Sequence, residues 1–206
     1  MSTLYVGDVH GCADELHALL TQIDPDAVVM VGDLFSKGPD PLGVHSILKE
    51  HHVRSVLGNH DAWLLEHGPG TSPLLQALFD EVSDLRDWLG ALPLFLEEER
   101  CLVVHAGLHP TKGVEGTTRE MALTLRRWPD DSQEDHPFWY DAGWAGPSTV
   151  VFGHDARRGV IRRERGGVPT AIGLDSGCVY GGRLTGWLSD SDELVSVPAR
   201  RAYKPV

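Results

Sequence analysis

One pattern constrains this chain more than any other: a short apolar, β-branched run that ends in Gly or Ala beside a side chain able to bind a metal recurs six times. The runs are Leu4 to His10, Val28 to Asp33, Val53 to Asp61, Cys101 to Gly107, Val150 to His154 and Ala171 to Gly177. Apolar runs of this length, bounded by Gly and polar residues, read as buried strands. Between the first three lie helical stripes, with Leu16, Leu19, Leu20 and Ile23 within 12–23 and Leu42, Val44, Ile47 and Leu48 within 41–50. Strands alternating with amphipathic helices imply a parallel or mixed α/β arrangement with the helices outside.

Residues 73–90 carry a longer amphipathic pattern, with a break expected near Ser83, and read as a helix over the sheet edge. The stretches 183–189 and 193–197 read as a hairpin that opens a second, antiparallel sheet. The segment 110–147 is rich in Gly, Pro, Asp and Trp, with one short helix expected around Thr118 to Arg127, and reads as a loop or cap beside the site. With no linker or low-complexity tract, the expectation is a single domain over 1–206 with a small irregular cap or insert at about 110–147.

A formal charge of -12, from 18 basic and 30 acidic residues, argues against sequence-independent binding to long nucleic acid or anionic membrane, which rests on Lys and Arg neutralising phosphates. No apolar run approaches the roughly 18 residues of a membrane span, and the N-terminus shows no basic leader. Cys12, Cys101 and Cys178 form no CxxC pair, so neither a disulfide framework nor a structural zinc site is expected, and a cytoplasmic setting fits.

In open α/β sheets ligands bind just beyond the carboxyl ends of the strands, so the residues that follow these runs are expected to converge on one crevice. They are Asp8, His10, Asp33, Asn59, His60, His105 and His154. Carboxylate, imidazole and amide oxygen together suit manganese, iron, cobalt or zinc better than an all-oxygen cage or a thiolate site would. Seven groups exceed one tetrahedral ion and fit two cations sharing a carboxylate, with Asp33 the natural bridge. Such a pair acidifies a bound water and clamps a phosphoryl group. Two divalent ions against two ligand carboxylates also leave a positive pocket inside an acidic protein. The other histidines, His17, His45, His51, His52, His67, His109 and His136, read as solvated surface, His109 having the pocket as its alternative. Cys12 reads as a packing residue, and the six tryptophans as core or lid.

Taken in order, GDVHG, GDLFSKGP, GNHD, HAG and GH resemble the calcineurin-like metallophosphoesterases, in the branch that holds the Ser/Thr protein phosphatases. GDLFSKGPDPL, GNHDAWLL and LDSGCVYGGRLTGW are further similar to the symmetrical bis(5'-nucleosyl)-tetraphosphatases, which cut diadenosine tetraphosphate into two ADP. The resemblance implies a four-layer α/β/β/α sandwich of two mixed β-sheets flanked by helices. It assigns one metal to Asp8, His10 and Asp33 and the other to Asp33, Asn59, His105 and His154, with manganese foremost and cobalt, iron or zinc as alternatives. It makes His60 the general acid, and implies hydrolysis of a small dinucleoside polyphosphate by metal-activated hydroxide. A Ser/Thr phosphoprotein phosphatase is the alternative, and a catalytically silent metal- or nucleotide-binding regulator a more distant one. Ser36-Lys37 stand where the protein phosphatases carry Asp-Arg, so the usual carboxylate partner of the acid is replaced by a hydroxyl. Lys37 supplies charge to a phosphate without the bidentate fork of an arginine, and Arg126 and Arg127 are the candidates for that clamp.

Overall fold

The computed structural model describes residues 2–205. The chain opens with β1 (Thr3–Val6), α1 (Ala13–Ile23), β2 (Ala27–Met30), α2 (Pro41–Glu50) and β3 (Arg54–Ser55), followed by three helices, α3 (Asn59–His67), α4 (Pro73–Glu81) and α5 (Leu85–Ala91). Next come β4 (Phe95–Glu97), β5 (Cys101–Val104), α6 (Arg119–Thr124), β6 (Thr149–Phe152), β7 (Ile161–Arg165) and β8 (Val168–Gly173). The chain closes with β9 (Arg183–Leu188) and β10 (Glu193–Pro198). These strands form two five-stranded mixed sheets, ordered β10-β9-β1-β2-β3 and β4-β5-β6-β8-β7.

The sheets pack face to face. Tyr5, Val29 and Val31 of the first sheet meet Val103, Val151 and Ile172 of the second in one buried cluster. Leu16, Leu19, Val44 and Leu78 cover the outer face of the first sheet from α1, α2 and α4. Over the second sheet the outer layer is largely irregular: Leu108, Leu125 and Trp139 from the segment after β5 pack on Val104, Val150 and Phe152. That segment holds one short α-helix, α6, and two 3-10 turns, Val114–Gly116 and Trp139–Asp141, and its Trp139 is almost wholly buried with its indole N–H donated to the Ala106 carbonyl at 3.0 Å.

Local chemistry sets the helix boundaries. Asp40 accepts from Gly43 N–H at 2.7 Å and Pro41 opens α2; Ser72 and Pro73 do the same for α4, and Thr118 caps α6. The expected break near Ser83 is observed, with Val82 to Asp84 separating α4 from α5. Two expectations change. The C-terminal hairpin does not open a sheet of its own, because β9 pairs antiparallel with β1, Tyr5 opposite Trp187, and so extends the first sheet. The short helix stops at Thr124, leaving Arg126 and Arg127 on irregular chain beyond it. Among the described residues no helix is long and apolar enough to cross a membrane.

Candidate metal centre

The loops after β1, β2, β3, β5 and β6 meet at one end of the sandwich, where the two sheets bring their strand ends together. The backbone there is unusual. His10, Asp33, Lys37 and His154 all have positive φ, between 46° and 75°, a conformation that costs a non-glycine residue on the order of 1–3 kcal/mol and persists only where the surroundings enforce it. Close approach of one loop to the next provides that enforcement. A Cβ on Gly153 would overlap the Asp8 carboxylate, and one on Gly58 would overlap the backbone and carboxylate of Asp33, so only glycine admits this packing.

Hydrogen bonds tie the loops together. The Asp8 carboxylate accepts from the His154 backbone N–H at 3.1 and 3.2 Å, joining the end of β1 to that of β6 across the two sheets. The Asp33 carboxylate accepts from His60 N–H at 2.9 Å. Asp61, the last residue of GNHD, takes Asp33 N–H at 2.7 Å, Leu34 N–H at 3.0 Å and Gly58 N–H at 3.3 Å on its buried carboxylate. Burial, and after it the neighbouring Asp33, push the Asp61 pKa up to about 7, against the pull of those three N–H groups.

The donor atoms then fall into place. His105 donates Nδ1–H to the Val31 carbonyl at 2.8 Å, which leaves the lone pair on Nε2 pointing inward. That lone pair faces Asn59 Oδ1 at 2.9 Å, and Asn59 Oδ1 in turn lies 3.1 Å from His154 Nδ1. Asp33 divides its two oxygens, Oδ2 lying 3.5 Å from His10 Nε2 and Oδ1 3.6 Å from His105 Nε2. Carboxylate, amide and imidazole atoms thus gather within a few ångströms on both sides of Asp33, the spacing of ligands around a cation. The donor set therefore fits divalent ions on both sides of Asp33.

The electrostatics agree with that fit. Burial lowers the His10 pKa to about 3 and the His154 pKa to about 2, so both rings are neutral with lone pairs available. Burial opposes ionisation of Asp33, but the imidazoles of His105, His10 and His60 outweigh it and hold the carboxyl below its ordinary range. Asp8 is pushed well up by burial and by the nearby Asp175 and Asp33 carboxylates, a crowding of negative charge that cations relieve. On the outer side of His10, Nδ1 faces Ser36 Oγ at 3.1 Å and Nε2 receives the Lys37 ammonium at 3.1 Å, so in this structure a cation already faces that lone pair.

His60 stands at the start of α3 with its ring edge-on to His10, centroids 5.1 Å apart. Burial lowers its pKa, which the Asp33 carboxylate opposes. His10, Asp33, Asn59, His60 and His154 line a cavity of about 990 Å³, and Lys37, Arg126 and Arg127 line it too. Arg126 lies 3.5 Å from Asp131 and 3.8 Å from Asp155. Asp8 and His105 lie buried behind the cavity wall.

The cavity also contains residues the motif reading passed over: Asp175, Arg157, Arg158, Tyr180 and Lys204. Burial raises the Asp175 pKa to about 6. The LDSG stretch was the available signal for Asp175; Arg157 and Arg158 read as an ordinary charge pair. His109 departs from its surface reading, being buried against Trp128, with Nδ1 accepting from Thr111 and Lys112 N–H at 3.3 and 3.2 Å.

The family model of the calcineurin-like phosphoesterases matches residues 1–172. The chain belongs to the calcineurin-like phosphoesterases. This phosphoesterase is 38% identical to proteins named "Bis(5'-nucleosyl)-tetraphosphatase, symmetrical" from Salmonella paratyphi C and from Enterobacter sp. strain 638, over 69% of this chain and 55% of each of those proteins. It thus spans about half the length of the curated relatives it matches. A solved structure provisionally named as a diadenosine tetraphosphatase superposes with a TM-score of 0.81 at 38% identity, over 96% of this chain and 93% of the other. A metallophosphoesterase from Sphaerobacter thermophilus, at 16% identity and a TM-score of 0.61 over 98% of this chain and 89% of the other, shares the fold.

Proposed function

We propose that this phosphoesterase is a dinuclear-metal hydrolase of dinucleoside polyphosphates, cutting diadenosine tetraphosphate into two ADP in the cytoplasm. The observation that carries the reading is the division of Asp33 between His10 and His105, with Asn59 and His154 gathered on the His105 side. Asp8, His10 and Asp33 would hold one divalent ion, and Asp33, Asn59, His105 and His154 the other. Manganese is the first candidate, and cobalt, iron and zinc suit the same donors. When bound, the pair supplies an acidified water and a clamp on the phosphoryl oxygens.

The remaining steps belong to side chains. His60 protonates the departing bridging oxygen, which releases the nucleoside diphosphate as a good leaving group. An anionic phosphate beside His60 favours the imidazolium form and so offsets the lowering by burial. Lys37, its ammonium 3.1 Å from His10 Nε2 and lining the cleft, would supply positive charge to a phosphate oxygen of the substrate. Arg126 and Arg127 contribute fixed positive charge on the other side of the cleft. The likeness to proteins named symmetrical tetraphosphatases supports this substrate class, and the carboxylate-free Ser36-Lys37 pair weighs against a phosphoprotein phosphatase.

The test is product identity. With manganese added, diadenosine tetraphosphate should yield ADP alone, and chelation should stop the reaction. Formation of AMP with ATP would contradict the symmetrical cut, and release of phosphate from a phosphopeptide, with the dinucleotide left intact, would favour the protein phosphatase.

A further inference from the structure

In a chain of formal charge -12, six of the 18 Lys and Arg residues, Lys37, Arg126, Arg127, Arg157, Arg158 and Lys204, line the one cavity that holds the metal centre. Five of the ten arginines outside the cavity are paired with carboxylates: Arg54 with Glu98, Arg119 with Glu66, Arg162 with Asp192, Arg163 with Asp141 and Arg200 with Asp14. Among the described residues Arg157, Arg158 and Lys204 form no ion pair with a carboxylate, a trait shared with Arg86, Arg100, Arg165, Arg183 and Arg201, and what sets the three apart is that they line the cleft. Unpaired cations gathered in a cleft focus the local potential on a multiply charged anion.

The aromatic content of the cleft points the same way. Apart from imidazoles, its rings are Phe138 and Tyr180. The guanidiniums of Arg127 and Arg158 lie over Phe138 at 4.4 and 4.0 Å from its centroid, and Tyr140 stacks parallel to it at 5.4 Å. Lys37 lies over Tyr180 at 5.5 Å. These rings serve as platforms for cations, fixing Arg127 and Arg158 in place, rather than as open faces for a nucleobase. The loop that carries the pair starts at His154 and is pinned by the Arg158 N–H bond to the Asp155 carbonyl at 3.0 Å, so a candidate metal ligand and the two arginines share one short turn.

We propose that Arg157 and Arg158 form a second phosphate-holding subsite beyond the metal centre, and that the cleft selects its substrate by phosphate-chain length with little contribution from the bases. This rests on the hydrolase reading above and adds to it what the enzyme measures in its substrate. The chemistry recognised is a linear oligophosphate, capped by nucleosides or free.

Calorimetric titration of the metal-loaded protein with inorganic tripolyphosphate and with orthophosphate tests the subsite without turnover. Tripolyphosphate should bind at least about tenfold more tightly, and the Arg157→Ala/Arg158→Ala double variant should lose roughly tenfold in tripolyphosphate affinity while orthophosphate affinity changes less than about twofold. With diadenosine tetraphosphate the same variant should raise KM with little change in kcat, and Arg158→Lys should recover part of the loss. Replacing both adenosines by another nucleoside should move KM by less than about threefold. Equal binding of the two inorganic anions, or an unchanged tripolyphosphate affinity in the double variant, would overturn the proposal. A strong dependence on the base would overturn its second half. Absence of dinucleotide hydrolysis with the inorganic-anion results intact would remove the hydrolase reading and leave the subsite standing.

Discussion

The floor and the rim of one cleft are built in opposite ways. At the floor each group is fixed several times over: Asp33 sits in a left-handed conformation, its N–H is held by Asp61, and its carboxylate is shared among His10, His60 and His105. At the rim Arg157, Arg158 and Lys204 are exposed, on irregular chain, held by a ring or by nothing. Strain concentrates at the floor because phosphoryl transfer needs reacting groups preorganised, and a loose ligand set would lose that advantage. At the rim Arg127 and Arg158 lie over Phe138, and fewer contacts fix each group there than at the floor. On the proposed function chemistry belongs to the floor and selection to the rim, and substitutions in the two regions should have different signatures.

The largest effect is expected from Asp33→Asn, which removes the shared carboxylate. Turnover should fall below detection and metal content below two ions per chain, both readable by elemental analysis beside an ADP assay; near-normal activity would show that the floor is not organised around Asp33. His60→Ala should retain both metals and lose roughly 10²–10⁴-fold in kcat. Loss of metal in that variant would place His60 among the ligands instead.

Asp61→Ala sharpens the contrast from the side of stability, since it strands three buried N–H groups. The cost should be about 2–4 kcal/mol by chemical denaturation, with weakened metal binding. A stability within about 0.5 kcal/mol of the parent would mean that the loops are held by something other than this carboxylate. The smallest effect is expected from Arg126→Ala at the rim, where Asp131 and Asp155 already share the guanidinium. KM should rise a few fold, roughly 2–5, at constant kcat, and the difference should shrink as salt screens the cleft. A drop in kcat of more than tenfold would blur the line between floor and rim.

How much of this was legible in the chain follows the same division. Asp8, His10, Asp33, Asn59, His60, His105 and His154 could be picked out because each lies within five residues of a strand's carboxyl end, and strand ends are local features. The helices α1 and α2 were readable from their apolar stripes and, for α2, from Asp40 and Pro41. Asp61 was not, because its partners Asp33 and Leu34 lie 28 and 27 residues away and only the fold brings them to its carboxylate. The destination of β9 was hidden for the same reason, a strand carrying no mark of which edge it joins. Arg157 and Arg158 look like any surface charge pair until the turn after His154 aims them at the cavity shared with Lys37.

Five loops gather around Asp33, where two divalent cations would share its carboxylate. Anomalous diffraction from a crystal of the manganese-loaded protein tests it most directly. The account predicts two manganese peaks per chain, about 3.5–4 Å apart, on either side of the Asp33 carboxylate, one beside Asp8 and His10 and the other beside Asn59, His105 and His154. A single peak, or two peaks with Asp33 bound to only one of them, would contradict it.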